Sequence, residues 1–225
     1  MKYLLSFLLL LFISTVSFSQ NIDTTLVHGV QFQLPNILKI SNFDGYTFSY
    51  RYKQNKTSTY RFGISTNIRY RKTDLTSTSD TLSINYPKND NSYVLKLSVQ
   101  YLKSIMSYKN YSLIIGGGPF VTYDYRESNY HSIQNDNILK SHHSQKGFGI
   151  GLDFLSGVEY QLIRNIIISG EYSLSMIWKT SKIEAKQTRS YNDSNKTEII
   201  GKNSGTTTEL GLYGNRVNFG IAIYF

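Results

Sequence analysis

The chain has 225 residues, and its 24 Lys and Arg against 15 Asp and Glu give a formal net charge of +9. This length accommodates one domain of generous size. The absence of cysteine excludes disulfide bonds, cysteine-based zinc sites and the lipidated cysteine of a lipoprotein anchor. Tyr (19) and Gly (16) are abundant and Pro (3) is scarce, a composition typical of strands and turns rather than helices.

The N-terminus has the pattern of a secretory signal peptide. Lys2 supplies a short positive region, an apolar run follows it, and Ser17 and Ser19 have the small-residue spacing of a cleavage site. We therefore predict a signal peptide over residues 1–19 and a single domain over residues 20–225. A retained anchor is the alternative, but the apolar run is shorter than the roughly 18 residues of a spanning helix.

Alternation of apolar and polar residues predicts the first three strands. Residues 26–34 alternate weakly and end before Pro35, so they are the candidate first strand. The next two strands alternate clearly, and their apolar positions are Tyr46, Phe48, Tyr50, Tyr52, Tyr60, Phe62, Ile64, Ile68 and Tyr70.

The following four strands show the same period of two. Their apolar positions include Tyr93, Leu95, Leu97, Val99, Tyr111, Leu113, Val121, Tyr123, Phe148, Ile150, Leu152, Phe154, Tyr172, Leu174, Met176 and Trp178. Proline cannot donate a hydrogen bond to a ladder, so a bulge or a kink is expected at Pro119 in the fifth strand.

The last strand, Val217 to Phe225, has large apolar residues at odd positions and small or uncharged residues at even positions. Leu210 and Leu212 hold the opposite phase, and an extra residue in a bulge at Gly214-Asn215 would reset it. A hairpin at Gly214-Asn215 is the alternative, and it would invert the topology.

Three polar stretches, residues 72–91, 126–146 and 180–205, are predicted to be long loops. They alternate with short connections, as in membrane barrels with short periplasmic turns and long external loops. The pattern predicts an all-β fold: an eight-stranded antiparallel up-and-down transmembrane β-barrel with short periplasmic turns and long extracellular loops. Tyrosines near the strand ends fit interfacial girdles, the alternative being the aromatic core of a soluble barrel.

Short motifs resemble those of known outer-membrane barrels. Gly157-Val158-Glu159-Tyr160, a tight turn and Gly170-Glu171-Tyr172 resemble the penultimate turn of OmpA-like barrels. Tyr50-Arg51-Tyr52-Lys53 through Tyr60-Arg61-Phe62-Gly63 is similar to small barrels of the Bacteroidota. The resemblance implies an eight-stranded barrel in the cell outer membrane, and it implies no single activity. A structural or surface-interaction role, carried by the three long external loops, is the function we expect.

Eight strands enclose an interior that side chains can fill, so no open pore is expected. Charged residues of the inward phase should pair there, because an unpaired charge in a narrow interior is costly. A small conductance or proton path is the alternative role for them. The proposed lumenal ion-pair network consists of Arg61, Lys96, Asp153, Glu159, Glu171 and Arg216.

Two other functions are considered. His142-x-Ser144 has the spacing of the His and Ser in outer-membrane lipid A deacylases, but Gln145 follows where those enzymes have Asn. A lipid A-modifying hydrolase is therefore the first alternative, and a secreted soluble barrel that binds a small apolar ligand is the second. The sequence contains no phosphate loop or metal triad, so we expect no catalytic residue, no metal and no cofactor.

The expected partners follow from the charge pattern and the predicted location. Basic residues alternate with aromatics rather than cluster, so no nucleic acid is expected. A monomer in contact with outer-membrane lipid and lipopolysaccharide is expected, with an extracellular ligand possible through the loops. The last polar stretch carries Lys182, Lys186, Arg189, Lys196 and Lys202 against Glu184, Asp193 and Glu198, and could touch lipopolysaccharide phosphates.

Overall fold

A computed structural model describes residues 27–35, 45–79, 82–134, 137–191 and 197–225. Eight antiparallel strands close into one barrel, each pairing with its neighbours in sequence, and the last pairs with the first. The strands are β1 (His28–Pro35), β2 (Tyr46–Lys53), β3 (Ser58–Ser79), β4 (Leu82–Tyr108), β5 (Tyr111–Gln134), β6 (Asn137–Ile163), β7 (Ile166–Tyr191) and β8 (Thr197–Tyr224). The predicted eight-stranded up-and-down fold is confirmed, including a first strand near residues 26–34. The predicted signal peptide, residues 1–19, lies outside the described residues.

Three short connections lie together at one end of the barrel, which we call the turn end. They are residues 54–57, 109–110 and 164–165. Lys109 has a φ of 51°, the left-handed conformation that tight hairpin turns favour. The last residue lies at the same end, because the backbone N–H of Phe225 donates to the carbonyl of His28 at 2.8 Å.

The opposite end, the arm end, differs from the prediction. The polar stretches 72–91, 126–146 and 180–205 were predicted to be long loops, and this is wrong. The strands continue through these stretches as three β-hairpins. The β3–β4 ladder, for example, runs from Tyr70↔Asn91 to Ser79↔Leu82. The β7–β8 ladder runs from Thr180↔Thr208 to Ser190↔Thr197. The sequence of these stretches is rich in Thr, Ser, Asp and Asn, so it lacks the apolar alternation that marks a strand in sequence.

The predicted bulge in the last strand is confirmed. Ser173 pairs with Arg216 and Ser175 pairs with Tyr213, so β8 holds one extra residue at Gly214-Asn215. β8 continues through this point as one strand, which excludes the hairpin. The strand directions, and the position of Phe225 at the turn end, follow from that continuity.

The bulge expected at Pro119 is absent, and the kink expected there as its alternative is not tested by the register. The ladder between β5 and β6 passes from Gly118↔Asp153 to Pro119↔Leu152 without a shift. The ladder to β4 lacks pairs at Gly118 and Pro119 but resumes in the same register. A local break in that ladder therefore accommodates the missing N–H of proline, and no extra residue is needed.

The two faces of the barrel wall have opposite chemistry. Ser49, Arg51 and Arg61 are buried at 1–4% exposure, whereas their neighbours Phe48 and Phe62 are about 45% exposed on the outside. A soluble barrel for an apolar ligand would have the reverse arrangement, so that alternative does not fit. No helix in the described parts of the chain is long and apolar enough to cross a membrane.

Candidate functional site: the lumen and the outer wall

Two ion pairs cross the full width of the lumen. Arg51 Nη2 on β2 lies 2.6 Å from Glu159 Oε1 on β6. Arg61 Nη1 on β3 lies 2.7 and 2.8 Å from the two carboxylate oxygens of Glu171 on β7. In a ring of eight strands, β2 faces β6 and β3 faces β7, so each pair joins diametrically opposed walls.

Amide side chains extend the Arg61 pair into a connected network. The Arg61 Nε–H donates to Gln100 Oε1 at 2.8 Å, and the Gln100 amide donates to Asp153 Oδ2 at 2.9 Å. Asp153 also accepts from Lys96 at 2.7 Å and from the Ser175 hydroxyl at 2.6 Å. These bonds give the buried charges of Arg61, Glu171 and Asp153 hydrogen-bond partners, which a narrow lumen requires.

A further pair lies nearer the arm end, where Lys179 Nζ is 2.9 Å from Asp124 Oδ1. Between this pair and the network lies a polar cavity of about 280 Å³. Within the described part of the chain, Arg61 and Glu171 line this cavity, whereas Arg51 and Glu159 do not. The cavity therefore ends at the network rather than passing through the barrel.

The turn end of the lumen is closed by an aromatic residue of the last strand. The Tyr224 side chain is 1% exposed. Lys53 Nζ lies 3.8 Å, and Arg51 Cζ 5.6 Å, from the centroid of its ring. These cation–π contacts pack Tyr224 and Lys53 below the Arg51–Glu159 pair, with the Tyr224 ring against Arg51. The lower lumen is thus filled rather than open.

The structure joins four of the six predicted network residues as the pairs Arg61–Glu171 and Lys96–Asp153. Glu159 pairs instead with Arg51, and the side chain of Arg216 lies outside the described part of the chain. Alternation marks Arg51, Asp124 and Lys179 as inward, but the sequence does not say which inward charges meet. Gln100 was missed because uncharged inward residues give no signal for a network.

The outer wall forms an apolar belt between two aromatic rings. Near the turn end, the Tyr60 and Tyr101 rings contact each other at a tilt with centroids 5.4 Å apart, and the Tyr111 centroid lies 4.7 Å from that of Tyr160. The second ring consists of Tyr70, Tyr93, Tyr125, Phe148 and Trp178. Tyr60 and Tyr70 are ten residues apart on β3, which for a strand tilted by about 40° gives a belt about 25 Å tall. That height matches the apolar band of membrane barrels.

The residues of the hydrolase alternative, His142 and Ser144, lie two residues apart on the outer face of β6. His142 Nδ1 lies 2.7 Å from Asn129 Oδ1 and 3.6 Å from Glu127 Oε1. Among the described side-chain hydrogen bonds, none joins His142 to Ser144.

Comparisons with known proteins give structural similarity without sequence similarity. No family model and no curated protein sequence matches the chain. The barrel is similar to a major outer membrane protein from Thermus thermophilus, at 13% identity and a TM-score of 0.42, over 88% of this chain and 98% of that chain.

It is also similar to CarO2 from Acinetobacter baumannii, at 10% identity and a TM-score of 0.41, over 90% of this chain and 100% of that chain. The third is Ail, the attachment invasion locus protein of Yersinia pestis, at 12% identity and a TM-score of 0.38, over 88% of this chain and 97% of that chain. Identities and scores of this size carry no function over to this chain.

The location follows from the barrel itself. A closed sheet satisfies all of its backbone hydrogen bonds internally, so it can stand in hydrocarbon where an open sheet cannot. An eight-stranded antiparallel barrel with an apolar belt, aromatic rings, short turns at one end and long hairpins at the other has the construction of bacterial outer-membrane barrels. The chain is an integral β-barrel protein of the cell outer membrane.

Proposed function

We propose that the protein is a sealed outer-membrane anchor that presents rigid β-hairpin arms to the exterior, where the arms interact with extracellular partners. In this proposal the turn end faces the periplasm and the arm end faces outward. The barrel is not an enzyme and conducts no ions.

The observation that carries the proposal is the continuity of the ladders from the belt into the arms. The ladder between β6 and β7 runs without a register shift from Gln161↔Ile167, near the turn end, to Asn137↔Tyr191. The neighbouring ladder between β5 and β6 is continuous to Gln134↔Asn137. At about 3.3 Å per residue, an arm of ten residue pairs projects roughly 30 Å along its strands. The arms are therefore a stiff extension of the barrel wall, which suits the display of a binding surface.

The filled lumen supports the sealed part of the proposal. Two cross-lumen ion pairs and Tyr224 occupy the lower half, where an ion would need a continuous water path. Electrical recording across planar lipid bilayers tests this directly. The wild-type barrel should give no conductance steps, whereas combined serine substitution of Arg51, Glu159, Arg61 and Glu171 should give small steps, because four large side chains then leave the lumen. Steps from the wild type would contradict the sealed barrel.

The role of the arms is tested by shortening them. Residues 127–144 and 182–206 can each be replaced by an Asn-Gly turn, because Arg126 pairs with Gln145 and Ser181 pairs with Thr207. The shortened barrel should still migrate differently before and after boiling, which reports a folded barrel. Cells that display it should adhere less to protein-coated surfaces than cells that display the full-length chain. Equal adherence would contradict a surface-interaction role for the arms.

A further inference from the structure

Four exposed lysines stand together on the outer face of the arms, and we call them the outer lysine cluster: Lys146, Lys182, Lys186 and Lys202. Lys146 of β6 is directly opposite Lys182 of β7, and Lys186 of β7 is directly opposite Lys202 of β8. All four belong to the outward phase that includes Phe148 and Trp178, since side chains alternate along a strand.

This arrangement is unfavourable for the protein alone. Like charges directly opposite each other on neighbouring strands destabilise a sheet, and here two such pairs adjoin. One carboxylate lies within the cluster: Glu184 Oε1 is 3.1 Å from Lys182 Nζ. The Lys182 ammonium, with smaller contributions from Lys146 and Lys202, holds the pKa of Glu184 below its usual value. Glu127 of β5 is opposite Ser144 and therefore diagonal to Lys146 on the same face. Two acids against four lysines leave a local net charge of +2.

The cluster lies beside the membrane rather than over the lumen. Lys146 is two residues beyond Phe148 on β6, and Lys182 is four residues beyond Trp178 on β7, both toward the arm end. With a strand tilt of about 40°, these positions are roughly 5 and 10 Å above the aromatic ring. Lys186 and Lys202 are roughly 20 Å above it. A lipid whose acyl chains lie against the belt would therefore have its headgroup beside the lower pair.

We propose that the outer lysine cluster binds the phosphate groups of a phosphorylated glycolipid of the outer leaflet, with Lys146 and Lys182 at the headgroup and Lys186 and Lys202 at the sugars above it. The inference rests on the orientation given under the proposed function. The anionic phosphates offset the repulsion between the opposed lysines, and the lipid-side position distinguishes this surface from one that binds a soluble anion. Clusters of basic residues at a membrane surface recognise anionic headgroups in this way.

The test is lipid binding to the purified, folded barrel in detergent, measured by native mass spectrometry. The probes are bis-phosphorylated lipid A and the same lipid with its phosphates removed. Each lysine near a charged membrane surface contributes a factor of about five in affinity, so the K146Q/K182Q variant should bind phosphorylated lipid A about 25-fold more weakly. The matched control is K56Q/K103Q, which removes two exposed lysines at the turn end and should bind as the wild type does.

The salt dependence of lipid binding tests the proposal with the wild-type protein alone. Raising the salt concentration should weaken wild-type binding to phosphorylated lipid A and leave binding to the dephosphorylated lipid unchanged. The proposal is overturned if K146Q/K182Q binds lipid A like the wild type, if both double variants weaken equally, or if the dephosphorylated lipid binds as tightly. These outcomes are independent of bilayer conductance and of adherence, so failure here is separable from failure of the anchor function.

Discussion

Arg61 and Glu171 meet in the middle of the barrel although they are 110 residues apart in sequence. One guanidinium nitrogen contacts both carboxylate oxygens, and the two side chains are only 5% and 1% exposed. Because their strands lie on opposite sides of the ring, this contact ties the two walls together and closes the lumen between them.

Removing one partner of this pair should be strongly destabilising. Arg61→Ala leaves the Glu171 carboxylate buried without its cation, a change that typically costs about 3–5 kcal/mol. The double variant R61M/E171L replaces both charges with apolar groups of similar volume and should be close to the wild type in stability. Urea unfolding in lipid vesicles, followed by fluorescence of the single tryptophan, Trp178, measures both. Equal losses for the single and double variants would contradict the pairing.

A methyl group at Gly118 should disturb the barrel where β5 and β4 approach closely. A Cβ built at Gly118 would collide with the carbonyl oxygen of Val99, a backbone atom that cannot move aside by rotating. Gly118→Ala should lower the free energy of unfolding by about 1–3 kcal/mol, as overpacking does elsewhere. Gly205→Ala is the control, because nothing lies within 4 Å of a Cβ there. The same unfolding experiment should show Gly205→Ala within about 0.5 kcal/mol of the wild type.

Deleting the bulge residue Gly214 should prevent closure of the barrel. Without the extra residue, β8 cannot present both Leu210 and Phe219 to the lipid, because a one-residue slip moves a whole segment to the other face. We expect no folded form of this variant on an unboiled gel.

Deletion of Ile200 is the matched control for that experiment. It removes the second irregularity of β8, where Gln187 pairs with Gly201 and Thr188 pairs with Ile199. Both faces of the arm meet water there, so the slip places no apolar belt residue in the lumen. This variant should keep its folded mobility, and loss of folding in both deletions would show that any shortening of β8 is harmful.

The absence of cysteine permits a clean test of orientation. Lys202→Cys in the β8 arm should react with a membrane-impermeant maleimide on intact cells. Lys56→Cys, in the connection of residues 54–57 at the turn end, should react only after the outer membrane is permeabilised. The reverse pattern would invert the barrel and contradict the outward position of the arms.

The alternation from Tyr46 to Tyr70 and from Phe148 to Trp178 was enough to predict the strands of the belt and the face on which each residue lies. Successive residues of a strand face lipid and lumen in turn, so apolar and polar residues alternate along the sequence. The phase slip between Leu212 and Val217 was informative for the same reason, and it placed the bulge at Gly214-Asn215.

The arms were mistaken for loops because their sequence is mostly polar and shows no period-two apolar alternation. No apolar face distinguishes a strand there, and only the ladders to neighbouring strands reveal one. Pro119 shows the converse error, since a local rule for proline predicted a bulge that a break in one ladder made unnecessary.

The sequence by itself determined which charged residues point inward, because that depends only on strand period. The tertiary structure decided which of them meet. Arg51 contacts Glu159, and Arg61 contacts Glu171, because closure of eight strands with a particular stagger sets β2 against β6 and β3 against β7. The stagger depends on the register of every ladder around the ring, so it cannot be predicted from the residues of any single strand.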